Sequence, residues 1–207
     1  MHPFNELPKF IAGQAARLKW AKKLDPNKFY SIENFNQQIG NNFHLVAEII
    51  LNDDNKQKVI KALPINPVQW KEKGEFIYCI VYNDNIVKIG GTRTSMKDRF
   101  SSYLCGHYVP ERKASSGKNC SGKMSATNAY VYQTIEETLL KNEGKWKIWS
   151  WRLPRTMVTV DILDTPTEVI AQTYHAYETV TINKFKEFAG HTPQLSDNCD
   201  PNYRKKK

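Results

Sequence analysis

GEFIYCIVYNDNIVKIGGTRTSMKDRF, residues 74–100, holds two apolar runs around a polar turn and ends on a double glycine. From Phe76 to Tyr82 every residue is apolar or aromatic, the pattern of a short strand buried on both faces. Asn83-Asp84-Asn85 supplies turn chemistry, and Ile86–Ile89 forms a second strand, so the stretch predicts a β-hairpin. With all three turn residues in the loop, Tyr82 opposes Ile86, Ile80 opposes Lys88 and Tyr78 faces Gly90. Tyr78 and Lys88 then share a face as diagonal neighbours, about 7–8 Å apart at the backbone. The lysine inside an apolar run is the feature that asks for an explanation.

Downstream, Ser95 reads as a helix N-cap with Asp98 at the third position and Gly106 as the stop. Met96, Phe100 and Leu104 are spaced by four and form a packing stripe. Arg99 and Tyr103, also four apart, lie on another face near the hairpin. Residues 105 to 127 are Ser- and Gly-rich and basic, which predicts a loop. NAYVYQTIEETLLKN has helical spacing, and KWKIWSWRLP and TMVTVDILD read as strands. Thr165-Pro166-Thr167-Glu168 reads as the start of a long last helix that runs to Phe188 and stops at Gly190, with Tyr174, Tyr177 and Thr181 along one side and Glu178 at its edge. Upstream, residues 1–70 read as helical. Glu6–Lys23 mixes apolar and basic residues, and the segment beginning at Ser31 carries spaced Phe, Ile, Leu and Val up to Pro64 and Pro67.

The chain has 207 residues, 40% of them hydrophobic, and 30 Lys plus Arg against 21 Asp plus Glu, a formal charge of +9. That excess favours a polyanionic partner, nucleic acid first. No segment reaches the roughly 18 apolar residues of a membrane span, and no charged and then apolar leader opens the chain, so a cytoplasmic protein is expected. Cys79, Cys105, Cys120 and Cys199 are scattered without a CxxC pair and are expected to be free thiols; zinc at Cys105, His107 and Cys120 fits no standard spacing. His107 and His175 read as surface or structural histidines.

Ile77-Tyr78, Lys88-Ile89-Gly90, Arg99 and the series Glu178, Ile182, Phe185, Gly190, Pro193, Leu195 resemble the GIY-YIG nuclease superfamily over about residues 75–198. Phe76 stands where the first motif usually has glycine, and Lys88 where the second usually has tyrosine. Lys88, with Arg99 and Tyr103 after it, is similar to a subgroup of type II restriction endonucleases.

The resemblance implies an α+β fold, a small three-stranded antiparallel sheet flanked by helices. Around it the chain divides into a helical N-terminal extension (1–70), a nuclease domain (71–198) with an insertion at 105–150, and a basic tail (199–207). It implies hydrolysis of a DNA phosphodiester with one divalent ion, Mg2+ or Mn2+. Tyr78 would lie against the attacking water, Arg99 on the scissile phosphate, Tyr103 beside it, and Glu178 on the metal as its single carboxylate; Ser196 stands where the family usually has asparagine. Site-specific cutting of double-stranded DNA by a homodimer follows, with a DNA methyltransferase as companion. A homing or repair nuclease, or a non-catalytic DNA-binding protein on the same scaffold, remains an alternative. Arg93, Arg112, Lys113, Lys118 and Lys123 are the candidate DNA contacts.

Elementary chemistry supports these roles. Phosphoryl transfer depends mainly on positioning and charge neutralisation, which a metal and a fixed guanidinium supply. One carboxylate is enough for magnesium, which keeps most of its waters. A phenol with a pKa of about 10 is a poor base, and an adjacent ammonium lowers it, so Lys88 is expected to tune Tyr78.

Overall fold

The computed structural model describes residues 21–52, 59–104 and 126–196. The elements in chain order are α1 (Ile32–Gln38), β1 (His44–Leu51), β2 (Ile60–Pro64), α2 (Pro67–Lys71), β3 (Phe76–Tyr82) and β4 (Asn85–Thr92). They continue with α3 (Met96–Leu104), α4 (Ala126–Leu140), β5 (Trp146–Arg152), β6 (Thr156–Ile162), β7 (Thr165–Ala171) and α5 (Tyr174–Ala189). Five strands form one antiparallel sheet in the order β2-β1-β5-β3-β4, and β6 and β7 form a separate two-stranded ribbon.

The sheet is covered on both faces, which is why Phe76–Val81 is apolar without alternation. On one face Tyr78, Ile80 and Val87 pack with Met96 and Phe100 of α3 and Val131 and Ile135 of α4. On the other, Ile77, Cys79 and Ile89 pack with Ile32 and Phe35 of α1 and Ile182 and Phe185 of α5. The fold is a helix-sheet-helix sandwich.

Several expectations need correction. The sheet has five strands, not three, because β1 and β2 extend it from a region expected to be helical. Ser31 does cap α1, its Oγ accepting from Glu33 N and Asn34 N. The helix then stops where Gly40 (φ 91°) and Asn41 (φ 56°) turn the chain over, and the β-branched run that follows pairs as a strand. The insertion expected at 105–150 ends inside β5, the strand that joins the two halves of the sheet. Thr165 opens β7 rather than a helix, and the last helix begins at Tyr174. Gly190, left-handed at φ 76°, ends it as expected.

The central hairpin reaches the expected register by another route. Asn83 (φ 45°) and Asp84 (φ 61°) form a two-residue turn of the type whose twist suits a hairpin, so Tyr82 pairs with Asn85 and Val81 with Ile86. A bulge then takes up one residue, and from Ile80 opposite Lys88 onward the pairing is the predicted one, with Tyr78 opposite Gly90. The turn is tied to its surroundings: Asn83 Oδ1 accepts from Lys145 N at 2.8 Å, and Lys147 Nζ pairs with Asp84 Oδ1 at 2.8 Å. Leu195 N donates to Val87 O at 2.7 Å, so the segment after α5 closes the bulged edge of β4.

Among the described residues, no helix is long and apolar enough to cross a membrane.

Candidate active site

The site is built around two adjacent glycines at the end of β4. A Cβ on Gly90 would collide with the phenol of Tyr78, which lies across it on one face of the sheet. A Cβ on Gly91 would come within 2.8 Å of Tyr174 Cδ2 and 3.0 Å of Glu178 Oε2, which approach from the other face. Each glycine admits one functional side chain close to the backbone.

On the Tyr78 side, Ser95 caps α3 by accepting from Asp98 N at 3.1 Å, with Asp98 ion-paired to Lys73. This start places Arg99 and Tyr103 one turn apart, facing β3. Arg99 Nε donates to Tyr78 Oη at 2.7 Å and Nη2 donates to Tyr103 Oη at 3.2 Å. The two phenol oxygens are 2.6 Å apart. Both tyrosines are about 1% exposed, whereas Arg99 is half-buried. Nη1 of Arg99 donates to Ser102 Oγ at 3.3 Å, so three of the five N–H donors of a guanidinium are engaged. Two are left for a ligand.

Burial pushes the Tyr78 phenol well above its usual range, the neighbouring Tyr103 adds to this, and the Arg99 guanidinium pulls the other way without reversing it. Desolvation works against the charge on Arg99, but the two phenols it touches more than offset this and leave it a firmer cation than usual. The expectation that Lys88 lowers the Tyr78 phenol is therefore corrected twice. The phenol is raised, and the cation that pulls it down is Arg99. Lys88 lies on the predicted face, 1% exposed, and its Nζ donates to Ser196 Oγ at 3.4 Å, an oxygen that also accepts from Ile89 N at 3.4 Å. It ties the segment after α5 to β4.

On the other side, Glu178 is half-buried on α5 and makes no hydrogen bond or ion pair among the described residues. Tyr174 and Tyr177 anchor this helix against the sheet, and Glu75 Oε2 accepts from Thr173 N at 3.0 Å and Thr173 Oγ1 at 2.9 Å just ahead of it. His175 is exposed and lies against the ring of Tyr174. Among the described residues, no group of three or more His, Cys, Asp or Glu is gathered to hold a metal. A partner-free carboxylate over a glycine suits a hard cation that keeps most of its waters, and not an all-protein cage.

Arg93 is exposed, with Nη1 donating to Gln172 Oε1 at 3.1 Å. Arg112, Lys113, Lys118 and Lys123 lie outside the described residues, as do Cys105, His107, Cys120, Cys199 and the basic tail. Cys79 is a buried free thiol. Sequence reasoning missed Ser102, Lys88's link to Ser196, and the space that Gly91 leaves for Glu178. The available signal for the last was a second glycine in a strand, which marks close approach of another group.

No protein-family model matches the chain, and no curated protein does. Among solved structures, the chain is similar to the restriction endonuclease HPY188I in complex with product DNA, at 20% identity, 86% of this chain, 97% of that one and a TM-score of 0.48. It is also similar to a mutant of bacteriophage T4 EndoII, at 18% identity, 76% of this chain, 96% of that one and a TM-score of 0.49.

Proposed function

We propose that this chain is a metal-dependent endonuclease that cuts double-stranded DNA at specific sites, as a restriction enzyme of the GIY-YIG type does. The observation that carries the reading is the pair of side-chain sets meeting at Gly90-Gly91. A tyrosine-arginine-tyrosine cluster lies on one face and, on the other, a carboxylate with no hydrogen bond or ion pair among the described residues, at the positions where the family motif has its phosphate-binding and metal-binding residues.

Glu178 would hold a magnesium or manganese ion, which when bound would neutralise charge on the departing oxygen. The chain's own residues do the rest. Arg99, fixed by Tyr78, Tyr103 and Ser102, turns its two remaining N–H donors to the scissile phosphate, a charge-assisted contact in a half-desolvated site. Tyr78 and Tyr103 hold that guanidinium in place, and Tyr78, in its phenolate form, orients the attacking water and accepts its proton. Lys88 is a positioning residue that fixes β4 against the segment at Ser196. Cutting both strands of a symmetric site with one active centre per chain favours a homodimer on DNA, the N-terminal section being its expected interface and a DNA methyltransferase the companion that protects the host.

A supercoiled plasmid incubated with the full chain should be nicked and linearised with magnesium and left intact with EDTA, at a discrete set of ends. Absence of nicking at every divalent ion tried would overturn the enzyme reading. Random ends would leave a nuclease without site specificity.

A further inference from the structure

Beside the glycine pair lies a cleft of about 860 Å³ between the end of the main sheet and the base of the β6–β7 ribbon. It is lined by Lys73, Arg93, Arg152 and Arg155 against a single carboxylate, Glu75. The four cations differ in how far they are already satisfied. Lys73 is ion-paired with Asp98, and Arg152 Nη1 with Glu72 Oε1 at 2.8 Å. Arg93 meets only the neutral amide of Gln172, and Arg155 makes no hydrogen bond or ion pair among the described residues. Glu75 Oε2 accepts from Thr173 N and Thr173 Oγ1, and its Oε1 is buried with no hydrogen-bond partner among the described residues. Two guanidiniums that line the cleft thus have no ion pair among the described residues.

The cleft continues the candidate active site along the chain. Arg93 follows Gly91 by two residues, and Gln172 leads through Thr173 into α5 and Glu178. The ribbon that walls the cleft carries Asp161, Asp164 and Glu168 and no Lys or Arg between 156 and 171. A polyanion is therefore attracted to the base of the ribbon and repelled from its length. We propose that this cleft is a phosphate track, holding the sugar-phosphate backbone of the DNA strand where it leaves the scissile phosphate, with Arg93 and Arg155 on successive phosphate oxygens. The identity of the polyanion rests on the nuclease reading above. The volume suits a length of backbone, and two guanidiniums without an ion pair among the described residues suit phosphate oxygens, which they can bind in charge-assisted contacts.

The test is anisotropy of a fluorescent duplex titrated with the full chain in EDTA, between 50 and 200 mM salt. Each neutralised phosphate contributes about 0.9 to the slope of log affinity against log salt. Arg93→Ala and Arg155→Ala should each flatten the slope by about 0.9, so that this fourfold rise in salt costs each variant about 3.5-fold less affinity than it costs wild type. The double variant should flatten it by about two, Arg155→Lys should restore it, and Lys184→Ala on α5 should leave it unchanged. Wild-type slopes in both arginine variants overturn the cleft proposal alone. A chain that binds with these slopes but never cuts overturns the nuclease reading and leaves the track standing. A chain that binds no duplex overturns both.

Discussion

Arg99 Nε donates to the phenol oxygen of Tyr78 at 2.7 Å, so a cation from α3, outside the hairpin, acts directly on this tyrosine. The guanidinium and the phenol form one unit, with Tyr103 Oη 2.6 Å from Tyr78 Oη completing it. Groups that act as a unit are non-additive when removed. Tyr78→Phe is expected to lower the plasmid nicking rate by roughly 10²–10⁴, the range of general-base work, with duplex affinity kept. Arg99→Ala should lower it at least as far, and the double variant should cost little more than the worse single one. A double variant that loses the product of the two effects would separate the roles assigned to these residues.

Glu178 is the carboxylate proposed to hold the metal. Glu178→Gln keeps the shape and removes the charge, so nicking should fall to background at ordinary magnesium while binding of duplex in EDTA stays within about twofold, since without the ion this carboxylate makes no attractive contact with a phosphate. Nicking rates and anisotropy on the same preparation check this. A Glu178→Gln variant that still cuts places the ion elsewhere.

The raised phenol of Tyr78 sets the sign of two pH effects. Its folded pKa lies above the ordinary value of about 10, so the stability it contributes is complete below pH 10 and is lost as pH rises towards the folded value. Cys79, also pushed up by burial, adds the same effect from about pH 8.5 upward. The melting temperature should therefore fall through the alkaline range, and less steeply in Tyr78→Phe, which has nothing to ionise. For activity, kcat/KM reports groups of the free enzyme. If the phenolate takes the proton, kcat/KM should keep rising without levelling below pH 10. A plateau near neutrality assigns the proton to another group.

Much of this site was legible because its residues lie in one short stretch. The hairpin, the capping of α3 by Ser95, and the shared face of Arg99 and Tyr103 all follow from local spacing. The register at Tyr78 was right although the turn was not: a two-residue turn at Asn83-Asp84 shifts the pairing by one, and the bulge before Lys88 shifts it back. Neither is visible in composition. The strands β1 and β2 were hidden because Val46, Ile49 and Ile50 have the i, i+3, i+4 spacing of a helix face, and the break at Gly40-Asn41 carried the correct signal. The β6–β7 turn could not be read. It is made by Leu163 and Asp164 at φ 50° and 60°, and leucine is not a residue that announces a left-handed turn. Pro166 then looked like a helix start, where it is tolerated in the ribbon because an isolated two-stranded ribbon consists of edges. Lys88 and Ser196 meet across 108 residues of chain, a distance over which no local pattern reports.

Substitution of the two glycines should separate packing from metal binding, because the faces they guard differ. At Gly90 an added methyl meets the ring of Tyr78, which is about 1% exposed and held by Tyr103 and Arg99, so nothing nearby can yield cheaply. Gly90→Ala should lose about 1–3 kcal/mol of stability through overpacking, seen as a lower melting temperature, along with activity at any magnesium concentration. At Gly91 the methyl meets Tyr174 Cδ2 at 2.8 Å and Glu178 Oε2 at 3.0 Å, both on half-buried side chains of α5 that can swing outward. Gly91→Ala should melt closer to wild type than Gly90→Ala does. Its carboxylate would be displaced, so it should need several-fold more magnesium for half-maximal nicking and recover much of its rate when that magnesium is supplied. Melting curves and magnesium titrations of the two variants decide the matter. If Gly91→Ala keeps the wild-type magnesium requirement, Glu178 does not hold the ion over that glycine. If raised magnesium rescues Gly90→Ala, the division of the site into a phosphate-binding face and a metal-binding face is wrong.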